Sequence, residues 1–96
     1  MGVPLRVLVI EDSQDDTALL IRDLRRNGYD PVFERVDTPE AMTTALNRQT
    51  WELVIADYNI PKLNASAALA LLKKSGLDLP FIIVSGSIGE DRAAAF

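Results

Sequence analysis

The run Leu53-Val54-Ile55-Ala56 is apolar at every position and ends abruptly in Asp57. Side chains alternate sides along a strand, so an unbroken apolar run of this length predicts a strand buried on both faces. That is the condition of a strand in a parallel sheet covered by helices. Asn59 and Pro61 follow and turn the chain. In open parallel α/β sheets, ligands bind outside the carboxyl ends of the strands. An Asp there is held by a rigid strand below and open to solvent above, which suits a nucleophile or a metal ligand. The same position also suits an ordinary turn Asp bonded to its own downstream backbone.

The rest of the chain repeats this pattern. Leu5-Arg6-Val7-Leu8-Val9-Ile10 is a nearly continuous apolar strand that ends in Glu11-Asp12. Ser13 with Asp16 three residues on resembles a capping box, and predicts a helix to about Asn27 with Thr17, Leu20, Ile21 and Leu24 on one face. Gly28 stops it. Pro31 to Val36 alternates weakly, as a half-exposed edge strand does. Thr38-Pro39 reads as N-cap and first helical residue, with Ala41, Met42, Ala45 and Leu46 as the apolar face. A third helix is expected from Asn64 or Ala65 to Gly76. Pro80 then opens the strand Phe81-Ile82-Ile83-Val84, which stops at Ser85-Gly86-Ser87, and Glu90 to Ala95 is expected to begin another helix. Alternating strands and helices predict an α/β doubly wound parallel sheet. The chain reads as one domain over residues 1–96, cut after its fourth strand–helix unit begins.

Composition narrows the chemistry. Of 96 residues, 48% are hydrophobic and 25% charged, as in an ordinary globular domain. A net charge of −4 leaves no basic stripe for nucleic-acid phosphates. There is no cysteine for a disulfide or thiolate site, and no histidine to act as base, zinc ligand or phosphohistidine. No stretch approaches membrane-spanning length, and Leu5 to Ile10 is too short for a signal-peptide core, so the expected compartment is the cytoplasm.

Polar groups therefore stand at three strand ends: Glu11-Asp12, Asp57 and Ser85. If the first and third strands are neighbours, Asp12 and Asp57 face each other across one crevice. Clustered carboxylates repel, and a hard divalent cation relieves them; oxygen-only ligands select magnesium over zinc. Asp12, Asp57 and one backbone carbonyl of the Asp57 turn would suffice, because magnesium keeps several waters. A carboxylate that also faces the metal can attack a phosphoryl group, and the Ser85 hydroxyl could donate to a phosphoryl oxygen. Each piece has a plainer reading: Glu11-Asp12 as an acidic helix start, Ser85 as a turn residue, Arg22, Arg25 and Arg26 as a solvated face, and Lys62 as a solvated turn residue. Their joint occurrence, in order, is what chance does not readily supply.

With Val9-Ile10-Glu11-Asp12-Ser13, Asp57-Tyr58-Asn59-Ile60-Pro61 and Ile83-Val84-Ser85-Gly86 in family-like spacing, the chain resembles the receiver domain of two-component response regulators. The resemblance implies a flavodoxin-like fold with strand order 2-1-3-4-5. It implies that Asp57 accepts a phosphoryl group from a phosphohistidine of a sensor histidine kinase or phosphotransfer protein. It further implies that Asp12, Asp57 and the Asn59 carbonyl bind magnesium, that Glu11 acts through a metal-bound water, and that Ser85 is the switch hydroxyl. Family members usually carry Gly where this chain has Ala65, which predicts a strained or rearranged turn. The family's phosphate-pairing Lys and switch aromatic belong to a fifth strand beyond Phe96. The order expected here is therefore 2-1-3-4, with the fifth strand and last helix missing.

Two alternatives accompany the phosphoacceptor switch. A degenerate receiver would serve only as a protein-docking module. A magnesium-dependent phosphohydrolase resembling haloacid dehalogenases would need Asp-x-Asp on the first strand, whereas here the candidate nucleophile is on the third and Asn59 fills the second position. No nucleic-acid or membrane partner is expected. The run Phe81 to Val84 contains no Pro or charge to blunt an open edge, so self-association through an exposed fourth strand is expected.

Overall fold

The computed structural model describes residues 2–57, 62–84 and 93–95. β1 (Val3–Ile10) and β3 (Leu53–Asp57) lie side by side, with β2 (Tyr29–Val36) outside β1 and β4 (Phe81–Val84) outside β3. All of these pairings are parallel. The order β2-β1-β3-β4 is that of the expected flavodoxin-like α/β sheet, with the reversal of strand order falling between β1 and β3.

Alternation along the strands divides the core in two. Leu8 and Ile10 of β1 and Val54 and Ala56 of β3 face the layer formed by α2 (Pro39–Arg48) and α3 (Ala65–Lys74), where Met42, Leu46, Trp51, Leu63, Leu72 and Phe81 fill the interior. Val7, Val9 and Ile55 face α1 (Gln14–Arg26) and pack with Ile21. The helices start where the sequence predicts: Ser13, Thr38 and Asn64 each accept from the backbone N–H three residues on. Gly28 and Gly76 follow α1 and α3 with φ of 94° and 80°, conformations that favour glycine.

Two expectations change. Ala93 to Ala95 do not begin a helix; they form β5 (Ala93–Ala95), antiparallel to β4, with Ala94 opposite Ile83. A short helix gains little in water because nucleation costs more than its few bonds return. The edge of β4 offers these residues ready-made ladder partners. The same strand covers β4 from Ile82 to Val84, so the bare edge on which self-association was expected is not bare there. Ala65 itself is the buried first residue of α3, and no described non-glycine residue has positive φ; the turn expected to be strained or rearranged includes residues 58–61, which lie outside the described residues. Asn59 and Ser85, two of the expected site residues, lie outside the described residues.

Candidate functional site

The β1–β3 register places the acids. Val7 pairs with Leu53 and Ile10 with Ala56, so Glu11 and Asp57 come next on adjacent strands. Asp57 is the last residue of β3 and stands opposite Val84 of β4. Glu11 and Asp12 precede α1, so neither serves as the acidic first turn; Asp15 and Asp16 do that. One carboxylate oxygen from each of Glu11, Asp12 and Asp57 lies within 4.8 Å of the others. The three differ in exposure: Glu11 is only 8% exposed, Asp57 is half-buried and Asp12 is open to solvent.

Glu11 is held at several points. Its N–H donates to the Val36 carbonyl at 3.0 Å, extending the β1–β2 ladder by one bond. Its own carbonyl accepts from Arg35 Nη1 at 3.2 Å. Its carboxylate Oε2 accepts from the Ser13 N–H at 3.1 Å, the donor that a full capping box would have given to Asp16. Burial pushes the Glu11 carboxyl up from an ordinary 4.5 to about 8; hydrogen bonding to Asp12 and the charge and hydrogen bond of Asp57 act in the same direction, against the Ser13 N–H. Near neutral pH, and with no cation, Glu11 holds its proton and relieves part of the repulsion among the acids.

The donor set fits magnesium. It is made only of carboxylate oxygens, and its crowding disfavours full ionisation without a cation. Asp12 faces solvent beside the buried Glu11, and magnesium keeps several waters in its shell.

The structure thus brings together Glu11, Asp12 and Asp57 as the sequence predicts. The expected solvated residues Arg22, Arg25, Arg26 and Lys62 are all exposed. Arg35 is a site neighbour that sequence reasoning misses. A cation one residue from the end of an edge strand, beside a strand ending in acids, is the signal that could have found it.

Comparisons with known proteins agree with this geometry. The family model for the response regulator receiver domain matches residues 7–96. The transcriptional regulatory protein PrrA of Mycobacterium tuberculosis is 33% identical over 90 residues, which are 93% of this chain and 38% of that protein. The response regulator protein FleR of Pseudomonas aeruginosa is 31% identical over 88 residues, 92% of this chain and 18% of FleR. This chain therefore spans well under half the length of these relatives. Among solved structures, the MaeR response regulator bound to beryllium trifluoride shares the fold at TM-score 0.73 and 18% identity, covering 86% of this chain and 68% of that one. A complex of the Saccharomyces cerevisiae histidine phosphotransfer protein Ypd1 with the receiver domain of Ssk1 gives TM-score 0.58 and 21% identity, covering 88% of this chain and 64% of the matched one.

Proposed function

The chain belongs to the response regulator receiver domain family, a signalling domain of two-component systems, and from that membership we propose that it is a phosphoacceptor switch modified on Asp57. The observation that carries the reading is the convergence of Glu11, Asp12 and Asp57 at the carboxyl ends of β1 and β3. An Asp57 carboxylate oxygen attacks the phosphorus of a donor phosphohistidine. A P–O bond forms, the P–N bond breaks, and the electron pair returns to the donor imidazole, leaving an acyl phosphate on Asp57. The donor belongs to a partner, a sensor histidine kinase or phosphotransfer protein, since this chain has no histidine. The Ypd1–Ssk1 complex supports that kind of partner by likeness of fold.

Asp12, Asp57 and the Asn59 carbonyl would hold magnesium, with Glu11 acting through a water. When bound, the ion supplies positive charge against the phosphoryl oxygens. Glu11 would have to be ionised when the cation is held, Asp12 presents its carboxylate to solvent, and the β3 backbone holds Asp57 for attack. We assign the switch hydroxyl to Ser85. The compartment in this reading is the cytoplasm, and the domain itself acts on protein rather than nucleic acid. Among the described residues, no helix is long and apolar enough to cross a membrane.

Incubation of the chain with magnesium and acetyl phosphate should add one phosphoryl group, detected by intact mass and removed by hydroxylamine. Asp57→Asn should abolish it while keeping the helical circular dichroism. Undiminished labelling of that variant would remove Asp57 from the role. No labelling of the wild-type chain by acetyl phosphate or beryllofluoride would favour the docking module instead.

A further inference from the structure

Arg35 stands one residue before the end of β2, opposite Val9. Its side chain reaches past the end of β1. Nη1 donates to the Glu11 carbonyl at 3.2 Å and lies 3.9 Å from Asp37 Oδ2. The ladder itself stops short of this carbonyl, because the last β1–β2 pair is Ile10 with Val36. The Glu11 N–H is already tied to the Val36 carbonyl at 3.0 Å. Both ends of the Glu11 main chain are thus fastened to the last two residues of β2. The carbonyl that Arg35 holds belongs to the peptide joining Glu11 to Asp12, so the guanidinium fixes the plane between the buried acid and the exposed one. The Arg35 side chain is itself 27% exposed, and a charge-assisted bond in such a setting is stronger than one in open water.

We infer that Arg35 is a positioning residue: by holding the Glu11–Asp12 peptide it sets where both carboxylates stand relative to Asp57, and so sets the site's affinity for magnesium. This rests on the magnesium reading given above. Two effects of opposite sign make the inference testable. As a bare charge, a guanidinium repels an incoming cation, so losing it would tighten magnesium binding. As a positioning group, its loss frees the peptide and weakens binding.

The test uses the full chain, with magnesium titrated calorimetrically and the Asp12 amide followed by NMR in the cation-free protein. Groups that orient metal ligands typically matter by about 10–100-fold, so Arg35→Met should weaken magnesium binding about tenfold, while Arg35→Lys, which keeps charge and donor, should stay within about twofold. The Asp12 amide nitrogen should shift in Arg35→Met and return toward its wild-type position in Arg35→Lys. If Arg35→Met does not fold, Arg35→Gln, which stops short of the Nη1 position, carries the same expectation. Equal or tighter magnesium binding by the folded donor-less variant would overturn the inference, as would an Arg35→Lys that falls as far as Arg35→Met. Magnesium binding by wild type with an indifferent Arg35→Met removes this inference alone. No magnesium binding by wild type removes the underlying reading and this one with it.

Discussion

A buried proton on Glu11 ties the folded state to pH. The carboxyl ionises at about 8 in the folded chain, against an ordinary 4.5, chiefly because burial disfavours its charge. A group whose folded value is raised contributes stability that is fully present below the unfolded value and is lost as pH rises through the folded one. Without divalent cations, the wild-type chain should therefore lose stability relative to Glu11→Gln as pH rises from about 4.5 to about 8, with the difference levelling off beyond. Urea midpoints of the two proteins in EDTA measure this, and parallel curves would contradict it. In the magnesium reading, the same proton would leave as the cation binds. Calorimetry in buffers of different ionisation enthalpy should register proton release near neutrality, and magnesium affinity should climb with pH until Glu11 is ionised. What sequence could foretell at this scale was the identity of the three acids, because strand ends are marked by where apolar runs stop. Their division of labour was hidden. Nothing in Glu11-Asp12 says which acid turns inward, since that depends on the Val36 carbonyl and the Arg35 side chain from a strand more than twenty residues away.

Among the elements, α1 shows how one residue can serve two neighbours separately. The Ser13 hydroxyl caps the helix through the Asp16 N–H at 3.1 Å, while the Ser13 backbone N–H donates to Glu11 at 3.1 Å. Ser13→Ala removes only the first. It should cost about 0.5–2 kcal/mol of stability, the range for lost N-caps. It should leave the Glu11 titration in place, which carboxyl-carbon NMR can follow. A Glu11 midpoint that fell with the cap would show that the two contacts are coupled. Caps such as Ser13, Thr38-Pro39 and Asn64 were legible because their chemistry is local to a few residues. β5 was not legible, because Ala93-Ala94-Ala95 has good helix propensity and only the adjacent edge of β4 decides otherwise. The early start of β2 at Tyr29 was hidden for the same kind of reason: the β1 ladder carries Asp30 and Pro31 as strand residues despite their poor propensity.

For the molecule as a whole, the sheet has unequal edges. β2 carries polar and charged residues among its apolar ones, as edges tolerate, whereas the apolar β4 depends on β5 for cover. Ala94→Pro removes a backbone donor from that short ladder and should uncover β4. Light scattering over a concentration series should then show more association than the wild-type chain does, with faster hydrogen exchange at Ile82 and Ile83; no change in either would mean that β5 does not shield the edge. The parallel pairing of β1 with β3 has a different consequence. Each residue advances a strand by about 3.3 Å and turns its side chain to the opposite side. Sliding β3 by a single residue would thus move Asp57 by most of the 4.8 Å that spans the acids, and would point it the wrong way. If magnesium binds as proposed, a cation on Glu11, Asp12 and Asp57 would in effect be a gauge of alignment, tolerant of whatever length of loop leads into the strands and intolerant of one residue gained or lost between Leu53 and Asp57.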